Sequence, residues 1–189
     1  RRFAERAAEL NDPSGLVVLG EMQFQAGELD AAKASWTKAS KLLPTGATEQ
    51  HSPCGHIGTD AICAETLAVA VAEAEGAVVA PTISYGMSEH HMSLGGTLTL
   101  DYATMAAVIG CVVRSAARHG FERIFVLNSH GGNEFKPLLR ELNGKTKVQL
   151  FLCDWFRGLT ADVKKSIFKE ADDHAGEIET SLGLAYFGH

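Results

Sequence analysis

The feature that most limits the fold of this chain is the alternation of short apolar runs with helix-like segments from residue 44 onward. Helices are predicted from Asp60 to Glu75, with Gly76 at the C-cap position, and from the capping residue Asp101 to Gly120. The runs with the length and composition of strands are residues 77–84, 96–100, 123–127 and 147–153. Strands that alternate with helices indicate βαβ units, so we expect an α/β fold with a mainly parallel sheet in three α/β/α layers.

The front of the chain, residues 1–42, differs in composition: it is rich in Ala, Leu, Glu and Lys and contains no strand-like run. Gly27 interrupts a helical pattern there, and Asp30 can cap a second helix that continues through Leu42. This helical hairpin resembles a single tetratricopeptide repeat (TPR) from about Pro13 to Pro44. Because one repeat cannot bury its apolar face alone, the alternative is an amphipathic hairpin packed on its own domain.

Composition narrows the class of protein. The chain is 46% hydrophobic and 21% charged, which is ordinary for a globular domain. Its net charge of -6 argues against nucleic acid as a partner, because neutralising phosphates requires a basic face. The apolar stretches are too short to span a bilayer and no secretory leader is recognisable, so no membrane partner is expected. The four cysteines form no C-x-x-C pair, which favours a cytoplasmic protein over a disulfide framework.

The first polar cluster contains Glu49, His51 and Asp60 in a loop rich in glycine and proline. Glu49 and His51 are two residues apart, so in extended backbone their side chains point the same way. Asp60 lies at a predicted helix start, where the helix dipole favours an anion. Mixed carboxylate and imidazole ligands suit zinc, manganese or iron. The alternative is a polar turn in which Asp60 only caps the helix.

Two further clusters contain histidines. His130 follows the predicted strand 123–127 and precedes two glycines, and functional sites of parallel sheets lie at the carboxyl ends of strands. His174 and Glu177 would share one helix face, where they can bind a metal or transfer protons. The alternatives are a loop histidine with its hydrogen bonds satisfied and a capped helix start with solvated acids.

The polar clusters belong to four longer segments, LPTGATEQHSPCGHIGTD (43–60), SEHHMSLGGT (88–97), LNSHGGN (127–133) and HAGEIETS (174–181). Together these segments resemble the motifs of the creatininase (creatinine amidohydrolase) family. Within the second segment, His91 and Gly96-Thr97 stand at the matching places. The segments occur in the family order and cover most of residues 43–189, so we predict a creatininase-like metal-dependent amidohydrolase domain over 43–189, preceded by the TPR-like hairpin over 1–42.

The resemblance implies a centre of two divalent metal ions. It implies that Asp60 bridges them, that Glu49 and His130 bind one, and that His51 binds the other. Zinc, manganese and iron remain open as the metal.

For the fifth ligand, and for the group that orients the proton carrier, the sequence leaves two alternatives. Creatininase carries a glutamate where this chain has Gly132, which argues against creatinine itself as the substrate. Glu177 is the candidate replacement and Glu179 the alternative. His174 is predicted to carry the proton to the leaving nitrogen, oriented by Glu177 or Glu179.

The predicted function is hydrolysis of a non-peptide C–N amide bond in a cyclic or formylated small molecule, with a water between the two metals as nucleophile. The resemblance also implies a homo-oligomer, a hexamer, and the hairpin suggests a protein partner. The alternative is a protein-interaction module with a catalytically inactive creatininase-like remnant.

The chain departs from the family pattern at several places. Ser52 stands where glycine is usual, and the family's first strand should precede Leu43, although the predicted helix runs up to that residue. Either that strand is missing or the helix ends early. Relatives continue well beyond Ser181, so we expect a domain that is incomplete at the carboxyl end.

Overall fold

The computed structural model describes residues 40–53, 55–157, 161–168 and 174–187, and from the front of the chain residues 23, 25–28, 30 and 31. The strands are β1 Lys41–Thr45, β2 Val78–Val79, β3 Arg123–Asn128 and β4 Gln149–Asp154. The helices are α1 Thr59–Glu75, α2 Tyr102–Arg118, α3 Phe135–Asn143, α4 Ala161–Ile167 and α5 Glu177–Phe187, and a short 3-10 helix spans Glu89–His91.

The strands form one parallel sheet in the order β2-β1-β3-β4, with apolar side chains on both faces. Leu43 and Ile124 face a core cluster that includes residues of α2 and α3. Leu42 and Leu127 point to the opposite face, into a cluster that includes residues of α1 and α5. Because neighbouring residues of a strand alternate between faces, one apolar run serves both helical layers. The predicted parallel α/β fold is confirmed, and its helices cover both faces.

The predicted ends of two helices are confirmed. The carboxylate of Asp101 accepts a hydrogen bond from the backbone N–H of Thr104 at 2.7 Å and caps α2. Gly76 follows α1 with a φ of 64°, the left-handed conformation that glycine adopts most easily.

Two predicted strands are shorter than expected. Of residues 77–84 only Val78–Val79 is a strand, because Pro81 has no N–H to continue the ladder. Pairing resumes as a single bridge between Thr45 and Ile83. Residues 96–100 make isolated bridges through Leu98 and Thr99 rather than a strand of the sheet.

The prediction that the second front helix runs through Leu42 is wrong at its end. Lys41 and Leu42 belong to β1, where they pair with β2 on one side and β3 on the other. A central strand position outweighs a local helical pattern, because both neighbouring strands satisfy its backbone groups. Most of the hairpin lies outside the described residues, so the TPR-like repeat remains a prediction. Among the described helices, none has the length and apolar character needed to cross a membrane.

The order of the strands places a crevice between β1 and β3. The chain leaves β1 towards β2 on one side, and later returns to add β3 and β4 on the other. Ligands of open α/β sheets bind at such a reversal, beyond the carboxyl ends of the strands.

Candidate metal centre

The polar clusters of the sequence meet at this crevice. Gly46 follows β1 and lets the start of α1 approach closely, since a Cβ there would lie 2.4 Å from the backbone nitrogen of Ala61. That approach brings Asp60, in the first turn of α1, next to the loop that carries Glu49 and His51. The loop after β3 supplies His130.

Asp60 lies between two imidazoles. Its Oδ1 is 3.2 Å from Nε2 of His51, and its Oδ2 is 3.0 Å from Nδ1 of His130. All three side chains are buried, with Asp60 2% exposed. Each carboxylate oxygen therefore faces a different histidine.

Glu49 and His174 complete the inner wall of this cluster. Oε1 of Glu49 lies 3.1 Å from Nδ1 of His130 and 3.5 Å from Nδ1 of His174. The ring of His174 is 4.7 Å from the ring of His51, centroid to centroid. The carboxylate of Glu49 is thus in contact with two imidazoles and is almost completely buried.

Backbone carbonyls fix which ring nitrogen of each histidine faces the carboxylates. Nδ1 of His51 donates to the carbonyl of Glu49 at 3.0 Å, and Nε2 of His130 donates to the carbonyl of Met87 at 3.1 Å. Since a carbonyl only accepts, these nitrogens carry the protons of the neutral rings. The other nitrogens then face the carboxylate oxygens, and in the neutral rings they carry the lone pairs that can bind a metal. Such outer hydrogen bonds orient metal-binding histidines.

Three buried polar atoms of the cluster have unused capacity to bind a proton or a metal ion. Oε2 of Glu49, Nε2 of His51 and Oδ2 of Asp60 have no hydrogen-bond partner within the described part of the chain. Lone pairs of nitrogen and carboxylate oxygens repel one another unless a proton or a metal lies between them. The donor set therefore fits divalent metal ions.

The pKa values of His51, His130 and Glu49 show that the buried carboxylates favour positive charge in this cluster. Burial would lower the pKa of His51, but Asp60 and Glu179 outweigh it and raise the pKa to about 10. Burial likewise opposes protonation of His130, whereas Asp60 and Glu49 raise its pKa to about 10. For Glu49, burial by itself would raise the pKa. The hydrogen bond and the charge of His130 outweigh burial and lower the pKa to about 2.

An amide network holds the loop of His130. Oδ1 of Asn128 accepts from the backbone N–H of His130 at 3.1 Å, and its Nδ2 donates to the His130 carbonyl at 2.9 Å. Asn133 donates to Oδ1 of Asn128 at 3.1 Å and accepts from the N–H of Met87 at 3.0 Å. These buried amides tie the histidine to the strand end and to the segment that carries the 3-10 helix.

The structure brings Glu49, His51, Asp60 and His130 together, as the sequence predicted, but it separates the two candidate glutamates. Glu179 lies in the cluster, with Oε1 3.6 Å from Nε2 of His51. Glu177 is exposed and lies outside every group of clustered ligand atoms among the described residues.

The geometry around Glu177 also differs from the expectation. The helix begins at Glu177, so His174 precedes it and the two do not share a helix face. The orientation predicted for His174 through Glu177 is therefore not seen. Nε2 of His174 instead donates to the carbonyl of Gln50 at 2.7 Å, and Oε2 of Glu179 accepts from the N–H of Ala175 at 2.5 Å.

The clustered ligand atoms form overlapping groups. The groups are Glu49, His51 and His174; His51, Asp60 and Glu179; and Glu49, His90 and His130, each with its ligand atoms within 4.8 Å of one another. Sequence reasoning missed His90, although it stands beside His91 in the second motif. It also missed the buried Ser88, whose hydroxyl lies 3.3 Å from Nε2 of His130.

The cluster opens into a cavity of about 430 Å³. Its outer walls include Trp155, Phe156, Arg157 and Lys164. The indole N–H of Trp155 donates to the hydroxyl of Ser129 at 2.6 Å, which fixes one wall next to the His130 loop. The cavity has room for a small organic molecule beside the carboxylates and imidazoles.

The structure is thus a parallel α/β fold with buried carboxylates and imidazoles at the carboxyl edge of its sheet, an arrangement typical of α/β enzymes. The family profile described as creatinine amidohydrolase matches residues 26–189. The chain belongs to the creatininase family. This confirms the family assigned from the four motifs and supports an amidohydrolase enzyme.

Individual relatives show how far the likeness extends. Creatinine amidohydrolase of Pseudomonas putida is 30% identical over 191 residues, covering 90% of this chain and 72% of the relative. The mycofactocin precursor peptide peptidase of Mycolicibacterium smegmatis is 33% identical over 149 residues, covering 76% of this chain and 56% of the relative. A crystal structure of creatinine amidohydrolase matches with a TM-score of 0.73 at 28% identity, over 86% of this chain and 70% of that one.

Metal-containing forms of creatininase share this fold. A Zn–Zn form of a creatininase mutant matches with a TM-score of 0.70 at 28% identity, over 83% of this chain and 68% of that one. A Mn form matches with a TM-score of 0.67 at 28% identity, over 86% and 70%.

Proposed function

We propose that this chain is a metal-dependent amidohydrolase that uses two divalent ions. The observation that carries the proposal is Asp60, a buried carboxylate whose two oxygens lie 3.2 Å and 3.0 Å from ring nitrogens of two different histidines. One oxygen and His51 suit one ion, while the other oxygen and His130 suit the second. Asp60 would then bridge the pair.

The remaining ligands follow from position. Glu49 would join Asp60 and His130 at the first ion, which we call subsite 1. Glu179 would join Asp60 and His51 at the second, which we call subsite 2. We propose Glu179 rather than Glu177 as the fifth ligand, because only Glu179 lies near His51. Zinc, manganese and iron all accept such mixed nitrogen and oxygen ligands.

Each part of the centre has one task in amide hydrolysis. When bound, two divalent ions lower the pKa of a water between them and polarise the substrate carbonyl. Water adds its oxygen to the carbonyl carbon, the C–N bond breaks, and the nitrogen leaves with a proton that originates from the water.

His174 is the proposed proton carrier. Its Nε2 donates to the carbonyl of Gln50, so its Nδ1 faces the cluster near Glu49. The ring of His91 stacks on it at 4.1 Å, which restricts its rotation. A held imidazole next to the reacting bond can take a proton from water and deliver it to the leaving nitrogen.

The substrate class is an amide with its C–N bond accessible in the cavity. A cyclic amide or a formamide fits the volume of about 430 Å³. One relative is a peptidase of a precursor peptide, so a short peptide amide is the alternative to test.

We further propose that the chain assembles into a homo-oligomer, namely a hexamer, and that it is located in the cytoplasm. The front segment is proposed to bind a protein partner.

Metal analysis of the purified chain tests the proposal before any substrate is known. We expect up to two zinc or manganese ions per chain after dialysis against either metal, measured by elemental analysis. Screening cyclic amides, formamides and short peptides then identifies the substrate. A chain that takes up neither metal refutes the proposal and favours an interaction module with an inactive remnant.

A further inference from the structure

His90 stands at the mouth of the metal centre and has no task in the proposed ligand set. Its ring stacks on the ring of His130, with the planes 11° apart and the centroids 6.0 Å apart. One of its ring nitrogens lies within 4.8 Å of a carboxylate oxygen of Glu49 and of a ring nitrogen of His130. Besides Asp60, three side chains with ligand atoms therefore lie at subsite 1, and His90 is the third of them after Glu49 and His130.

Gly132 provides the space that His90 occupies. A Cβ at this position would lie 2.8 Å from Cε1 of His90, 2.6 Å from Nε2 of His130 and 2.4 Å from the carbonyl oxygen of Met87. Any larger residue at 132 would therefore collide with both imidazoles. The absent side chain lets the ring of His90 lie beside His130.

Hydrogen bonds hold the backbone on both sides of His90, while its side chain is open to solvent. Ser88 is buried, and its N–H donates to the hydroxyl of Thr99 at 2.9 Å. The N–H of His91 donates to the carbonyl of Ser88 at 2.9 Å, which closes the 3-10 turn around His90. The side chain of His90 is exposed. Neighbouring ligands of a tetrahedral zinc ion are about 3.4 Å apart, so a small rotation of this ring completes the set.

We propose that His90 is a ligand of the ion at subsite 1, together with Glu49, Asp60 and His130. This inference rests on the proposed function. Subsite 1 then has two imidazoles, whereas subsite 2 has one. Imidazole ligands favour zinc over manganese, so the two subsites differ in metal preference and subsite 1 takes zinc first.

Zinc titration of the metal-free protein tests this assignment. We expect His90→Ala to weaken the tighter of two zinc sites by at least about tenfold, because even the loss of an outer-shell partner costs about 10–100-fold. The weaker site keeps its affinity. His119→Ala removes another exposed histidine, at the end of α2, and should leave both affinities unchanged. His90→Gln keeps the size of the residue and should weaken the tighter site as well.

Nuclear magnetic resonance of 15N-histidine-labelled protein gives an independent readout. The ring signals that disappear in His90→Ala belong to His90, and zinc should shift them. Unchanged His90 signals, or wild-type affinities for both ions in His90→Ala and His90→Gln, overturn the inference and leave the proposed function standing. A wild-type chain that binds manganese but no zinc also overturns only the inference, and a chain that binds neither metal overturns both. Melting of the metal-free variants at the wild-type temperature shows that the fold is intact.

Discussion

Replacement of Asp60 by asparagine tests the two-ion site most directly. The substitution keeps the shape of the side chain but removes the charge and turns one of the two oxygens into an NH2 group. In the structure these oxygens lie 3.2 Å from His51 and 3.0 Å from His130, so both subsites lose an anionic ligand. Loss of an outer-shell partner alone weakens a metal by about 10–100-fold. We therefore expect at least that loss at each ion, or about 3–5 kcal/mol for the pair.

The contrast with Glu49→Gln separates a bridge from a single ligand. Glu49 contacts His130 but not His51 through its carboxylate, so Glu49→Gln should weaken one ion and spare the other. Calorimetric zinc titration of both variants gives the stoichiometry and affinities. Asp101→Asn is a matched control, because it changes an aspartate at the start of another helix, away from the centre. Two ions bound normally by Asp60→Asn, or equal losses in both variants, would refute the bridging geometry.

Further outcomes follow from the structure. Ser52 has a φ of 63°, so Ser52→Gly should relieve strain and stabilise the fold by about 0.5–1 kcal/mol in chemical denaturation. Ser93→Gly is the control and should not stabilise the fold, because Ser93 is an exposed serine without a positive φ. His174→Ala should keep its metals but lose about a hundredfold or more in turnover of a substrate found by screening; lost metal would make His174 a ligand. The pKa values of His51 and His130 are raised to about 10 from 6.5, so protonation stabilises the metal-free fold fully below about pH 6.5, and this contribution is lost as pH rises through about 10. Calorimetry should show the melting temperature of metal-free protein falling over that range and that of zinc-loaded protein falling less; parallel curves would contradict this.

The sequence predicted the parts of the fold that depend on local pattern. The apolar runs predicted the positions of β3 and β4, and glycine and aspartate mark the ends of α1 and α2. The sequence also suggested that β4 is buried, but β4 lies at the edge of the sheet, where Phe151 is 41% exposed. Prediction failed where partners distant in the chain decide the conformation. Lys41 and Leu42 continue a helical pattern locally, yet they pair with two neighbouring strands. Pro81 shortens β2, although the run around it has strand-like composition.

For the centre, the sequence by itself determined which chemistry is present and roughly where it lies. Carboxylates and imidazoles follow strand ends or begin helices, and parallel strands bring those ends to one edge of the sheet. Glu49, His51, Asp60 and His130 could be chosen on that basis.

Only the tertiary structure decided which of two glutamates enters the centre and which histidine stands at its mouth. Glu177 and Glu179 are close in sequence, but the start of α5 exposes one and turns the other towards His51. His90 approaches His130 across the gap left by Gly132. Such choices depend on contacts between segments about 40 to 130 residues apart, and a one-dimensional pattern carries no information on the rotation of one segment against another.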